Sequence, residues 1–145
     1  MEVYTIGFTK KSAREFFGRL KQAGIRRLVD IRLHNASQLA GFTKKEDLRF
    51  FLEEVCGAEY VHEPLLAPTK TILDDYKKRK GSWEEYQTQF LRLMEERRIE
   101  DALDRGLLDR PTVLLCSEPE PDCCHRRLVA EYLRDRWGNL EIVHL

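Results

Sequence analysis

The stretch PTVLLCSEPEPDCCHRRLVAEYLRDRW, Pro111 to Trp137, sets a short apolar run, a proline-rich acidic loop and a helical pattern end to end. Thr112 to Leu115 is β-branched and leucine-rich and opens after a proline, the pattern of a strand covered on both faces in a parallel sheet. Cys116 and Glu118 then stand at its carboxyl end. Leu128, Val129, Tyr132 and Leu133 recur at helical spacing, and Asp122 is the expected N-cap of that helix. This places Cys123, Cys124 and His125 in the first turn, where backbone N–H groups lack partners and the helix dipole is positive, with Arg126 and Arg127 beside them. The expected product is an anion pocket at the helix start.

Working outward, Val3 to Gly7 alternates β-formers and stops at a glycine, the pattern of a first strand ending in a tight turn. Ser12 with Glu15 forms a capping box, and Phe16, Phe17 and Leu20 give the following helix an apolar face closed by Gly24. The second strand, Arg27 to Arg32, carries Asp30 and Arg32 toward its end, and the polar stretch His34 to Gly41 reads as a functional loop. A second box, Thr43 with Glu46, opens a helix stopped by Gly57. Glu59 to Pro64 is a third strand, and Thr71 to Lys80 a short helix with the basic run Lys77 to Lys80. A longer helix starts near Ser82 and runs to about Leu103, and Leu140 to Leu145 is the last strand. Strands alternating with helices predict one α/β domain over residues 1–145, with a mostly parallel five-stranded sheet flanked by helices in Rossmann-like layering. Such sheets bind ligands beyond the carboxyl ends of their strands.

Composition narrows the chemistry. Lys+Arg and Asp+Glu number 25 each, so no global field draws in nucleic acid or a membrane surface, and any basic recognition surface is local. No apolar run reaches the ~20 residues of a membrane span, and Met1 to Gly7 leads into a strand rather than a signal-peptide core. A cytoplasmic location and reduced thiols are therefore expected for the four cysteines. No Gly-rich phosphate loop, dinucleotide fingerprint or serine-hydrolase signature occurs, and counting from Cys116, Cys123 or Cys124 finds no phosphatase-type C-x5-R.

Three patches, TIGFT at Thr5 to Thr9, DIRLHNASQLAGF at Asp30 to Phe42 and CSEPEPDCCHR at Cys116 to Arg126, together resemble the family catalogued as domain of unknown function 488, over nearly the whole chain. The family pattern falls on Cys116, Glu118, Pro121, Cys124, His125 and Arg126, with Cys123 an extra residue. The chain departs from the pattern at Phe8, where the family has histidine, and at Asn35, where it has proline. The resemblance implies a site and names no reaction.

From these residues the candidate site comprises Asp30, Glu118, Cys124 and His125 as catalytic groups and Arg32, Ser37, Cys116 and Arg126 as substrate contacts. Two carboxylates, one imidazole and two guanidiniums suit acid–base chemistry on a phosphate-bearing substrate, a nucleotide or nucleic acid. Two alternatives stay open: a non-catalytic module binding nucleic acid or a phospho-ligand, and a thiol-dependent redox protein. Cys116, Cys124 and His125 include two soft metal ligands and an imidazole, but no fourth ligand is evident and adjacent helix-start side chains diverge, so no metal is assigned. No cofactor and no oligomeric state are legible.

Overall fold

Along the central strand β4 (Thr112–Cys116), Val113 and Leu115 join one apolar cluster and Leu114 the other, and all three are fully buried. That two-sided burial is what the unbroken apolar run predicts for a strand with helices on both faces. In the computed structural model, which describes residues 1–34, 41–118 and 124–145, five strands make one all-parallel sheet. The others are β1 (Glu2–Gly7), β2 (Arg27–Asp30), β3 (Glu59–His62) and β5 (Glu141–His144), and the order across the sheet is β3-β2-β4-β1-β5.

One face is covered by α1 (Ala13–Gln22) and α2 (Lys45–Phe51), whose Phe16, Phe17, Leu20 and Leu48 pack with Ile6, Leu28 and Leu115. A π-helical turn, Leu52–Cys56, continues α2 and ends at Gly57, whose φ of 62° suits glycine at a helix C-terminus. On the opposite face lie α3 (Lys70–Lys77), α4 (Trp83–Arg97), α5 (Ile99–Ala102) and α6 (His125–Trp137). Phe90, Met94, Leu128, Val129 and Leu133 meet Val3, Val29 and Leu114 there. No helix among the described residues is long and apolar enough to cross a membrane.

Element boundaries differ from expectation where a local contact intervenes. The long helix expected from Ser82 to about Leu103 breaks at Arg98, whose φ of 51° separates α4 from α5. The helix expected to open at Thr43 begins at Lys45 instead: Thr43 is buried in a 3-10 turn and Lys44 is the N-cap residue, without a side-chain cap. β1 ends at Gly7 as expected and the turn follows at Thr9 and Lys10, where Lys10 has a φ of 60°, but the glycine itself answers to a close approach. It remains in register with Cys116, and a Cβ there would stand 1.6 Å from the Glu118 carbonyl oxygen and 2.4 Å from the Arg126 guanidinium. Glycine is required because the third patch crosses directly over the first.

Candidate functional site

The pairing of β2 with β4 sets the site. Asp30 stands opposite Leu115, and the Ile31 N–H donates to the Leu115 carbonyl at 3.2 Å, so the chain leaves both strands side by side at Arg32 and Cys116. Thr9 holds the β1 end to them, its N–H and hydroxyl donating to the Ser117 carbonyl at 3.1 and 2.7 Å. Hydrogen bonds thus gather the TIGF, DIR and CSE segments at one end of the sheet.

Asp30 and Arg32 form a buried, two-point ion pair. Arg32 Nε and Nη2 donate to the two Asp30 oxygens at 2.9 and 2.8 Å, and Nη2 also donates to the Thr43 carbonyl at 2.7 Å. Tyr60 donates its hydroxyl to Asp30 at 2.6 Å, while the Phe8 ring lies 5.3 Å from the Arg32 guanidinium. Both side chains are almost fully enclosed. This network ties the strand end to the turn before α2, and Phe8 contributes a ring face to it where the related pattern has histidine.

Arg126 is enclosed as well, at 1% exposure. Its Nε donates to Thr5 Oγ1 at 3.3 Å and its Nη1 to the Glu118 carbonyl. The expected anion pocket at the helix start is therefore corrected: this guanidinium braces the loop after β4 against β1 and does not border the cavity described below. The helix start also moves. α6 begins at His125 and Cys124 is its N-cap residue, with extended φ and ψ of −135° and 140° and no side-chain cap. Ser37, Asp122 and Cys123 lie outside the described residues.

The extended backbone at Cys124 overturns the argument that adjacent helix-start side chains must diverge. Cys124 and His125 both turn toward the end of β4: the Cys116 and Cys124 sulfurs meet as a disulfide, and His125 Nδ1 lies 3.3 Å from Cys116 Sγ. Reduced thiols, expected throughout, do not describe this pair; Cys56 is free. His125 Nε2 donates to the Ile31 carbonyl at 2.7 Å, an acceptor that places the ring proton on Nε2 and leaves Nδ1 with its lone pair facing the sulfurs. Burial pushes the His125 pKa down to about 4, with Arg126 adding to the effect and the Ile31 carbonyl opposing it. The ring is neutral at physiological pH.

Cys116, Cys124 and His125 line a cavity of about 220 Å³. Arg32 and Glu118 line it as well; Asp30 does not, its carboxylate being taken up behind Arg32. Aromatic residues line it too. Trp83 and Tyr86 stack with ring centres 5.2 Å apart, and Tyr76 tilts against Tyr86 at 5.1 Å. Lys77 Nζ pairs with Glu118 at 2.6 Å, where the side chains keep 48% and 39% of their exposure, so solvent or a ligand can exchange into that pair.

The basic run Lys77 to Lys80 carries acidic neighbours on its own helix, Asp74 at 3.8 Å from Lys78 and Asp75 at 2.8 Å from Arg79. Tyr86 is buried in the core, as its place in the apolar stripe predicts, and also borders the cavity, as does His34, which sequence reasoning left in a plain loop. Helical spacing marks Tyr86 as inward-facing and carries no information on whether a cavity adjoins it.

A family model described as Domain of unknown function DUF488 matches residues 12–133, a span holding the β2, β4 and α6 contributions to the site. No curated protein and no solved structure matches the chain.

Proposed function

Because the chain belongs to the family described as Domain of unknown function DUF488, a description that assigns no reaction, we propose from the site itself that the protein is an enzyme acting on a small substrate that joins a flat ring to an anionic group, a nucleotide being the nearest chemical class. The observation that supports this reading is that Tyr76, Trp83 and Tyr86 line the same cavity as Glu118, Cys116, Cys124 and His125. Tyr76 and Trp83 offer ring surface to a flat ligand, with Tyr86 buried behind them and stacked on both Trp83 and Phe90, and Lys77 offers the anion a charge it can take from Glu118. Glu118, His125, Cys116 and Cys124 are the groups within reach of the reacting atoms. Glu118, once released from Lys77, serves as a base. Asp30 and Arg126 act as positioning residues, since neither borders the cavity, while Arg32 presents an edge already committed to Asp30.

Size favours a monomer over a polymer. At about 220 Å³ the cavity falls below the ~300–1,000 Å³ of sites that enclose drug-sized ligands, so it takes a ring and leaves the attached group at its mouth. A nucleic acid would enter by one unstacked base only. The acidic partners of Lys78 and Arg79 reduce the field that a longer strand would need.

The test is titration of the protein with a panel of nucleobases, nucleosides and nucleotides, followed by intrinsic tryptophan fluorescence. A nucleotide should bind with Trp83 quenched, and Lys77→Ala should weaken it up to about fivefold, the loss of one exposed charge contact worth up to ~1 kcal/mol. Binding by no member of the panel, or binding indifferent to both Lys77→Ala and Trp83→Ala, would discard the reading. Turnover lost in Glu118→Gln with binding retained separates an enzyme from a binding module. A second reading, thiol–disulfide exchange, is favoured by the Cys116–Cys124 pair at the cavity wall.

A further inference from the structure

We propose that the reduced Cys116 and Cys124 thiols, together with His125 Nδ1, form a zinc-class metal site whose fourth position opens into the cavity. The inference goes beyond the ring-and-anion reading and does not depend on it. Sγ of Cys116, Sγ of Cys124 and a ring nitrogen of His125 lie within 4.8 Å of one another, and all three residues are buried. Tetrahedral zinc with sulfur at 2.3 Å and nitrogen near 2.0 Å sets its donors roughly 3.4–3.8 Å apart, so small side-chain rotations suffice.

The imidazole is already arranged as a ligand. Its Nε2–H is held by the Ile31 carbonyl, the supporting contact that metal-bound histidines ordinarily make, and this leaves Nδ1 directed at the sulfurs. A disulfide carries no proton to offer that lone pair. Once the pair is reduced, a thiol proton or a metal cation can take that place, and a cation held by both thiolates takes it with the two protons released. The Cα atoms of Cys116 and Cys124 stand 7.1 Å apart, beyond the ~4.4–6.8 Å usual for a bridged pair, a spacing that accommodates an ion between the sulfurs.

Two thiolates and an imidazole select a borderline-soft ion of the zinc class over magnesium or calcium, which require oxygen. Three protein ligands are the number at catalytic zinc sites, where water or substrate completes the shell. All three donor residues line the cavity, as do Glu118 and His34. Binding exchanges charge in balance: one divalent ion enters, and the two thiol protons leave to solvent. The disulfide is the metal-free, oxidised form of the same pair.

The experiment uses the full chain, reduced with a phosphine that takes up water oxygen as it leaves two thiols, and stripped by a chelator. Cobalt(II) added to this protein should bind one ion per chain, with thiolate-to-cobalt charge-transfer absorption and the intense visible bands of a tetrahedral site. Zinc(II) should displace it. Cys124→Ser and His125→Asn should each weaken binding by more than about 100-fold, beyond the ~10–100-fold cost of losing only a supporting contact. Cys56→Ser should leave binding unchanged.

Circular dichroism of each stripped variant separates ligand loss from unfolding. Should Cys124→Ser not fold, the wild-type spectrum and His125→Asn still decide. Absence of a thiolate–cobalt band in reduced, folded wild-type protein, or a band that persists in the folded variants, would overturn the site. Failure of nucleotide binding would leave the metal result standing, and failure of metal binding would leave the ring-and-anion reading standing.

Discussion

Arg126 and His125 are neighbours in the chain with opposite roles, and burial decides which role each takes. Arg126 donates to Thr5 and to the Glu118 carbonyl with 1% exposure, so removing it leaves buried acceptors without a donor. Arg126→Ala should destabilise the fold by about 1–3 kcal/mol, read from urea unfolding, the scale for leaving buried acceptors without a donor. Gly7→Ala should destabilise through the same crossing, because its Cβ would overlap the Glu118 carbonyl. His125, buried as a neutral ring with a pKa of about 4 against ~6.5 unfolded, makes the unfolded chain the stronger proton binder between those values. With the Cys116–Cys124 pair oxidised and no metal bound, stability is therefore full above about pH 6.5 and falls as the pH drops toward 4, by about 3 kcal/mol in all. His125→Gln should flatten that part of the urea-midpoint profile.

Caps and breaks show at the level of elements which local signals acted alone. Ser12 Oγ accepts from the Glu15 N–H and Ser82 Oγ from the Glu85 N–H, each at 3.1 Å, as the spacing of both boxes predicts. Ser82→Ala should cost about 1 kcal/mol in thermal unfolding and leave cavity residues in place. Thr69, absent from the expected caps, does the same for Ile72 at 3.2 Å because Lys70 follows it directly into α3. Thr43 and Asp30 instead answer to tertiary demands. The Thr43 carbonyl accepts from Arg32, and Asp30 serves Arg32 and Tyr60, so neither residue behaves as its local sequence suggests. The turn of Cys124 belongs here too, for its extended backbone at the N-cap brings its sulfur to Cys116.

For the whole molecule, β4 is the keystone, paired with β1 on one side and β2 on the other, while β5 and β3 are the edges. Amide exchange should accordingly be slowest at Val113 to Leu115 and faster along β5, whose residues are only half-buried or exposed. Leu114→Ala should cost about 2–5 kcal/mol, since Leu114 is fully buried within its cluster.

The division between sequence and tertiary structure follows the range of the interactions. Strand and helix identities, the centrality of Thr112 to Cys116 and the adjacency of Arg32 with Cys116 were legible, because apolar periodicity and parallel βα order express burial that each segment needs wherever it lies. Direction of the polar side chains was not. Whether Arg126 faces ligand or Thr5 and whether Asp30 faces substrate or Tyr60 depend on partners up to 121 residues away, as between Thr5 and Arg126. By itself the chain's pattern determined that Cys116, Glu118, Cys124 and His125 would gather near one strand end. Only the tertiary structure turned Cys116, Cys124 and His125 toward one another, because an extended residue at the helix entrance and the Ile31 carbonyl of another strand end orient them.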